Sequence, residues 1–168
     1  MSPDTTVRFT AAVTESGATV DTVPAADAID AIGAAVETPA IGVPLPFADV
    51  SLPSAVDREL TPAALAAAET GVTPARLGIA EHGSVLIRSA SEGDEPVSLY
   101  PNRHVAVVAA SDLVDDNRAA LDWLADEFAA GRTSYVFATG PSATADMGGL
   151  VNGVHGPNEV HVVVVSDR

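Results

Sequence analysis

Valine-rich runs dominate the hydrophobic pattern of the chain, at residues 104–110 (HVAVVAA) and 159–165 (EVHVVVV). An apolar run of strand length is typical of a strand that is covered on both faces of a sheet, which fits residues 104–110. Residues 18–23 (ATVDTV) alternate between apolar and polar side chains, which predicts a half-buried strand. Together these runs predict the framework of a β-sheet.

Helices are predicted between the strands. Residues 24–37 begin with a proline, which the first turn of a helix tolerates, and continue as an alanine- and isoleucine-rich segment. Thr61 and Pro62 provide a cap and a first-turn proline for a second, shorter helix. This helix is expected to run through the alanines to Glu69 and to end at Gly71.

The clearest helical pattern follows Ser111 or Asp112, either of which would be its N-cap. Two aspartates then favour the positive end of the helix dipole, and Gly131 ends the helix. Its apolar residues have the spacing i, i+3, i+4 and i+7 and are expected to face the core: Leu121, Leu124, Ala125 and Phe128.

Further strands are predicted in the middle of the chain. Ala40 to Leu45 is a short apolar candidate, followed by a proline-interrupted connection that crosses the domain. Residues 75–89 contain a pair of strand candidates joined by a turn at His82 and Gly83, and an acidic loop is expected beyond them at 91–96. Residues 134–139 (SYVFAT) predict a buried strand.

This alternation of strands and helices predicts an α/β fold with a mainly parallel sheet and flanking helices. The pattern also leaves room for an antiparallel strand at the edge of that sheet. A chain of 168 residues is long enough for one domain with a proper core, so we expect a single domain over residues 1–168.

The charge of the chain indicates the environment in which the protein works and the partners that it does not bind. The formal net charge is −15, and all eight basic residues are arginine. An acidic surface without lysine fits a protein that works in concentrated salt, where the Debye length falls to about 3 Å at 1 M. We expect a cytoplasmic protein of a halophile. Binding to nucleic acid or to an anionic membrane is disfavoured because no basic cluster is present, and no signal peptide or membrane helix is predicted.

The chain has no cysteine. Disulfides, thiolate nucleophiles, zinc–thiolate sites and cysteine-ligated iron–sulfur clusters are therefore excluded within these residues. We expect no cofactor bound by this chain, and any redox centre would lie in another protein.

Residues 139–158 form a glycine- and proline-rich loop that is much longer than a fold connection requires. It follows the carboxyl end of a predicted strand, which is where parallel sheets bind ligands. Ser142, Thr144 and Asp146 have the spacing of a short helical turn whose backbone N–H groups would hold an anion or a carbonyl. The alternative is a long connection in which glycines such as Gly140 serve only the turns.

A metal site and a catalytic triad are alternative interpretations of residues in and near this loop. His155, Glu159 and His161 would suit a metal ion, although a fourth ligand is not evident. Ser142 or Ser84 could be drawn as the nucleophile of a catalytic triad with His155 and either Asp146 or Glu81, but the nucleophile-elbow sequence is missing.

Glu81 stands in an apolar stretch beside Gly83. Burial there would raise the pKa of its carboxyl and make it a general base or acid. The alternative is a solvent-facing residue of the turn.

The sequence resembles the lactate-utilization (LUD) domain family in its last two thirds. The motifs that carry the resemblance occur in the family's order: GIAEHGSVLI at 78–87, SLYPNRHVAVV at 98–108 and the glycine loop through the last strand. The resemblance implies a fold similar to that of sugar-phosphate isomerases and coenzyme A transferases, an α/β sheet whose loops bind small anionic metabolites. It also implies a role in the oxidation of L-lactate to pyruvate, in a complex whose partner subunits carry iron–sulfur clusters.

The resemblance also marks individual positions. This sequence departs from the family at His82 and Ser84, where threonine is expected, and at Gly148, where an acid is usual. The matching positions are Glu81, Gly83, His104, Gly140, Pro141, Ser142, Thr144, Asp146, Gly153, His155, Gly156, Pro157 and Glu159.

These observations lead to three hypotheses. The first is a non-redox subunit or accessory factor of a lactate-oxidising complex, the second a stand-alone enzyme on a small organic acid or sugar phosphate, and the third a metal-binding regulatory module. Glu81 is the predicted catalytic residue, and no metal ligand is assigned. The predicted ligand-binding residues are Gly83, Ser84, Gly140, Ser142, Thr144, Asp146, Gly153, His155, Gly156 and Glu159.

Overall fold

The structure is a computed structural model that describes residues 3–146, 149–152 and 156–168. The helices are α1 (Pro3–Glu15), α2 (Ala25–Ala35), α3 (Pro62–Ala67), α4 (Asp94–Leu99) and α5 (Asn117–Ala129). The strands are β1 (Thr19–Val23), β2 (Ala40–Gly42), β3 (Val56–Asp57), β4 (Thr70–Pro74), β5 (Leu77–Ile79), β6 (Ser84–Arg88), β7 (Arg103–Ala109), β8 (Leu113–Val114), β9 (Tyr135–Ala138), β10 (Ala143–Asp146), β11 (Gly149–Asn152) and β12 (Glu159–Val165). None of the described helices is long and apolar enough to cross a membrane.

The central sheet has six strands in the order β1-β12-β7-β4-β2-β3, and every neighbouring pair is parallel. The two valine-rich strands lie side by side, with Val162 opposite Ala106 and Val164 opposite Val108. Both faces of these strands are covered, which explains their lack of polar alternation. The predicted α/β class with a mainly parallel sheet and flanking helices is confirmed.

A second, four-stranded sheet contains two antiparallel pairs, and β10 and β11 form a separate antiparallel hairpin. The order of the four-stranded sheet is β8-β5-β6-β9, in which β6 is antiparallel to both β5 and β9, whereas β5 and β8 are parallel. The antiparallel strands therefore lie outside the parallel sheet rather than at its edge. Strand β9 lies at the open end of this order and is only half-buried, so its prediction as a buried strand is wrong.

The elements pack in layers around two main cores. One face of the parallel sheet packs on α2 through residues such as Ile32 and Val163. The other face packs on the second sheet, with Val162 and Ile87 in a shared core that also contains Phe9 of α1. Helix α5 covers the outer face of the second sheet through Ala120 and Leu124.

Helix α5 differs from its prediction in cap and in orientation. Ser111 and Asp112 lie in a short 3₁₀ turn, and the N-cap is Asp116, whose carboxylate accepts a hydrogen bond of 2.9 Å from the N–H of Ala119. Leu121 is 62% exposed, so the buried face is shifted by one residue from the predicted face. By contrast, Thr61 caps α3 as predicted, accepting from the N–H of Ala64 at 3.1 Å.

Candidate functional site

A cavity of about 480 Å³ lies where the two sheets meet. It is next to the amino ends of β7 and β12 and the carboxyl end of β9. The residues that line it are Ser98, Leu99, His104, Val136, Phe137, Ala138, Thr139, Gly140, Pro141, Ser142, Ala143, Gly156, Pro157 and Val160. Among the predicted ligand-binding residues, the cavity brings together Gly140, Ser142 and Gly156.

The position of this cavity differs from the usual site of a parallel sheet. Thr139 and Gly140 do follow the carboxyl end of a strand, but that strand, β9, belongs to the second sheet. The parallel strands β7 and β12 meet the cavity with their amino ends. The general rule for parallel sheets therefore does not apply to this strand, and ligand binding by the loop stays a prediction.

His104 is a polar residue in the wall of the cavity. It is only 1% exposed, and its Nε2 lies 2.8 Å from the hydroxyl of Thr73, which is itself fully buried on the adjacent strand β4. Burial lowers the pKa of His104 from 6.5 to about 4, because the charged form would lose its hydration. The imidazole is therefore neutral at neutral pH.

Gly140 and Gly83 both pack against the end of α1. Their φ angles are +63° and +66°, which favour glycine. A Cβ on Gly140 would lie 2.3 Å from the carbonyl oxygen of Ser16, and one on Gly83 would lie 2.4 Å from the backbone N of Val13. Both positions thus have a packing role, whatever else the loops bind.

Ser142 and Gly156 join the two ends of the glycine loop at the cavity. The N–H of Ser142 donates a hydrogen bond of 2.8 Å to the carbonyl of Pro157. A Cβ on Gly156 would lie 3.3 Å from the Cβ of Ser142, so the small residue allows the two segments to approach. This contact fixes the wall of the cavity on the side of β12.

Ser84 supports the cavity from behind. It is 5% exposed, and its hydroxyl lies 2.6 Å from the hydroxyl of Thr139, a residue that lines the cavity. Because this contact joins the start of β6 to the end of β9, Ser84 acts on the cavity through Thr139. Its described partner is thus a second hydroxyl and not the base that a triad requires.

Glu81 lies in the turn between β5 and β6, at the start of α5. Its Oε2 accepts a hydrogen bond of 3.1 Å from the N–H of Asn117, the first residue of that helix. The side chain is 47% exposed rather than buried. This geometry corresponds to the alternative of an exposed turn residue, and a catalytic role stays a prediction.

Glu159 is held by an arginine. The guanidinium of Arg103 donates to the carboxylate of Glu159, lies 2.8 Å from that of Glu37 and donates to the carbonyl of Ala35 at 3.0 Å. The end of α2 is thereby tied to the starts of β7 and β12. Glu159 consequently has a partner that explains its position without a ligand.

His161 lies two residues further along the same strand. Its Nδ1 is 2.7 Å from the hydroxyl of Thr19, and its Nε2 is 3.3 Å from the carboxylate of Asp21. Burial lowers the pKa of His161, and the nearby carboxylate opposes this effect. Within the described ranges no three histidine, aspartate or glutamate side chains are grouped as a metal site.

The remaining predicted residues lie in the glycine loop. Thr144 and Asp146 belong to β10, which pairs with β11 in an antiparallel hairpin, so the predicted helical turn is wrong. The backbone N–H groups there take part in strand pairing rather than standing free at a helix start. The side chains of these two residues, and all of Gly153 and His155, lie outside the described part of the structure.

Comparison with known proteins places these features in a family. Residues 45–165 match the LUD domain, which is most of the chain. The chain belongs to the LUD domain family. All residues that line the cavity, from Ser98 to Val160, fall inside the matched range, whereas α1, β1 and α2 precede it.

Individual relatives of this LUD domain are lactate utilization proteins. Lactate utilization protein C of Bacillus subtilis (strain 168) is 36% identical over 107 residues, which are 60% of this chain and 44% of that protein. Lactate utilization protein C of Deinococcus radiodurans is 32% identical over 127 residues, 74% of this chain and 59% of that protein. The LUD domain described here thus spans about half the length of these relatives.

A solved structure shows the same fold. The crystal structure of a DUF162 family protein from Deinococcus radiodurans superimposes with a TM-score of 0.74 over 96% of both chains, at 24% sequence identity. The agreement includes the first third of the chain, where the sequence alone carried no family signal. This LUD domain therefore shares its overall architecture with that protein.

Thr73, which contacts His104 of the cavity wall, is one of the residues of this region that were not predicted from the sequence. It lies on β4, which was not predicted as a strand. His104 was noted as a family position but was not proposed as a site residue. A signal existed, because a histidine begins the run HVAVVAA, which otherwise reads as a strand covered on both faces.

Proposed function

We propose that this LUD domain takes part in lactate utilization, as a component without a redox centre that works with iron–sulfur proteins. The observation that carries the proposal is the match of residues 45–165 to the LUD domain together with relatives named lactate utilization protein C. Oxidation of L-lactate to pyruvate releases two electrons and two protons, which another component must accept.

The composition supports this division of labour. The chain contains no cysteine, so it offers no thiolate to ligate an iron–sulfur cluster. Its contribution would then be to bind a substrate, to hold the complex together, or both. The cavity at the meeting point of the two sheets is the place where a small molecule would bind.

We further propose that the protein works in concentrated salt. The net charge of −15 and the use of arginine for all eight basic residues support this setting. Screening by salt would reduce the repulsion between the acidic side chains. Purification in molar salt is therefore the appropriate condition for testing any complex.

Native purification from the source cells tests the proposal. A tagged chain is isolated in molar salt, and the eluate is analysed for partner proteins, iron and lactate-dependent dye reduction. The expected result is co-elution of iron–sulfur proteins with a dye-reducing activity that the isolated chain lacks. An eluate from untagged cells is the control for carry-over.

The opposite result has a definite meaning. A protein that elutes without partners and without iron contradicts membership in a stable complex. If that isolated chain converts a small organic acid or a sugar phosphate, the stand-alone enzyme replaces the subunit as the function. Both outcomes are read from the same preparation.

A further inference from the structure

His104 and Thr73 form a buried polar pair that the core does not need. Both residues are at most 1% exposed, and their strand neighbours across the sheet include Val160 and Ala106. Burial of an imidazole and a hydroxyl costs free energy unless their hydrogen bonds are satisfied. Two apolar side chains would fill the same space without that cost. The pair therefore suggests a purpose other than packing.

The hydrogen bond between the two residues uses only one of the two ring nitrogens of His104. Nε2 of His104 is engaged with the hydroxyl of Thr73 at 2.8 Å, and Nδ1 takes no part in that bond. Within the described ranges, Thr73 is the hydrogen-bond partner of this histidine. The threonine hydroxyl can donate or accept, so it is compatible with either tautomer of the ring. Nδ1 is accordingly free to accept from, or donate to, an oxygen atom in the cavity.

The charges around His104 determine which kind of chemical group can supply that oxygen atom. The imidazole is neutral because burial depresses its pKa to about 4. The other described residues of the cavity wall carry no acidic or basic side chain. Among the described residues of the wall, a carboxylate next to His104 would find no cationic side chain to balance it, whereas a hydroxyl or carbonyl oxygen needs none.

We propose that the cavity binds a small organic molecule whose alcohol hydroxyl or carbonyl oxygen contacts Nδ1 of His104, with Thr73 holding the ring in position from β4. The volume of about 480 Å³ lies in the range of pockets that hold small ligands. This inference goes beyond membership in a lactate-utilization system, because it assigns ligand binding to the isolated chain and names the atoms that make the contact.

The choice of probes rests on the proposed function. L-lactate carries a hydroxyl at its second carbon and pyruvate carries a carbonyl there, so each offers the oxygen that the site would recognise, but in both a carboxylate is bonded to the same carbon. Lactamide keeps the hydroxyl and replaces the carboxylate by an uncharged amide. The three probes together separate recognition of the oxygen from recognition of the charge.

Nitrogen NMR of the histidine rings reports the contact directly. The isolated, isotope-labelled chain is titrated with each probe, and the His104 signals are assigned from their loss in His104→Gln. The expected result is a saturable shift of His104 with at least one probe and no shift of His82. The ring of His82 is exposed and lies 3.0 Å from the side-chain amide of Asn117, at the start of α5, so it serves as an internal control.

Two threonines of β4 provide matched variants. Thr73 and Thr70 are both fully buried, but the Thr70 hydroxyl accepts from the N–H of Glu37 and does not contact His104. Thr73→Val is expected to weaken binding of the probe at least tenfold, whereas Thr70→Val leaves the affinity unchanged. Thermal unfolding of both variants shows whether they are folded at the temperature of the titration.

Defined results overturn the inference. No saturable shift of His104 with any of the three probes rules out the proposed contact, as does an equal loss of affinity in both threonine variants. These outcomes are independent of the purification test, because the titration uses the isolated chain. A chain that binds pyruvate but elutes without iron–sulfur partners would support the cavity and refute the complex, and the reverse pattern would do the opposite.

Discussion

The backbone of Gly140 lies directly on Ser16, so that a Cβ at position 140 would be 2.3 Å from the Ser16 carbonyl oxygen. Gly83 has the same relation to Val13 of α1, with 2.4 Å between its Cβ position and the backbone N. Two residues that the sequence predicted to bind a ligand are therefore also the residues against which the end of the first helix packs. Substituting either glycine tests two effects together: the close packing on α1 and the left-handed backbone conformation.

Gly140→Ala and Gly83→Ala are expected to destabilise the fold by at least about 3 kcal/mol, since both steric overlap and positive φ oppose a side chain. Gly131→Ala is the matched control, because Gly131 has a φ of +82° but nothing within 4 Å of its Cβ position. It should cost only about 1 kcal/mol. Urea unfolding measures all three, and equal losses would show that the contact with α1 contributes nothing.

The buried His104 predicts a specific loss of stability in acid. The unfolded chain protonates this histidine near pH 6.5, but the folded chain does so only at about pH 4. Between these values the unfolded state binds more protons, so this contribution to stability is present above pH 6.5 and is lost as the pH falls to 4. The shift corresponds to about 3 kcal/mol.

The measurement is the free energy of unfolding by urea at several pH values in this window, compared with the same series for His104→Gln. The wild-type curve should fall more steeply than the variant curve by about 1 kcal/mol per pH unit. Other acidic groups titrate in both proteins and cancel in the difference. Parallel curves would mean that His104 is not buried as a neutral ring.

Two substitutions of Glu81 distinguish a catalytic role of its carboxylate from a role in capping α5. As an acceptor for the N–H of Asn117, its carboxylate stabilises the start of α5, so Glu81→Ala should cost about 1 kcal/mol. Glu81→Gln keeps an acceptor oxygen and should lose less. If the isolated chain proves to have an activity, loss of that activity in the stable Gln variant would establish the carboxylate as a catalytic group instead.

Arg103 is predicted to matter more for stability than the carboxylate of Glu159 that it binds. Arg103→Lys cannot reproduce the contacts with Ala35, Glu37 and Glu159 and should cost about 1–2 kcal/mol. Glu159→Gln keeps a hydrogen-bond acceptor at a half-exposed position and should cost less than about 0.5 kcal/mol. Urea unfolding of both variants at one salt concentration decides between them, and a larger loss for Glu159→Gln would contradict the prediction.

Stability is expected to rise with salt. Raising potassium chloride from 0.1 M to 1 M shortens the Debye length from about 10 Å to about 3 Å and screens the repulsion among the acidic side chains. The urea midpoint should increase accordingly. The double variant Asp122→Asn, Asp126→Asn removes two exposed charges of α5 and should show a smaller increase. A midpoint that does not depend on salt would argue against adaptation to a salt-rich cell.

The strands that could be predicted are those whose side chains pack on both sheet faces. The bounds of β12 agree with the predicted 159–165, and those of β7 differ by one residue at each end, because consecutive valines have few other stable arrangements. Strand β4 could not be predicted, since it contains a glycine and ends in a proline. The glycine is required there because a Cβ on Gly71 would lie 1.9 Å from the carbonyl oxygen of Val97.

Helix α1 was missed for a different reason. Its buried positions are Thr5, Phe9 and Val13, so the stripe that faces the core contains a polar residue and little apolar surface. The hydroxyl of Thr5 donates to the carboxylate of Asp115 at 2.7 Å, a contact between residues 110 positions apart. A contact between residues so far apart cannot be predicted from a local sequence pattern. The packing of Gly83 and Gly140 on this helix could not be predicted for the same reason.

The candidate site could be predicted only in part. The glycine loop does reach a cavity, because Gly140, Ser142 and Gly156 lie in its wall. Glu81 and Glu159 have structural partners instead, which depend on where α5 and β7 begin in space. Sequence spacing gives the distance along the chain, whereas these contacts are set by the packing of the two sheets.

Part of the cavity wall is formed by two sheets that share a core rich in valine and alanine. Val136 and Ala138 come from the second sheet and Val160 from the parallel sheet. We therefore expect the volume of the cavity to depend on the spacing between the two sheets. A bulkier side chain at Ala106, deep in that core, would alter which molecules enter without replacing a single residue of the cavity wall. We therefore expect that substitutions in the interior can change the shape of the cavity while its lining side chains stay the same.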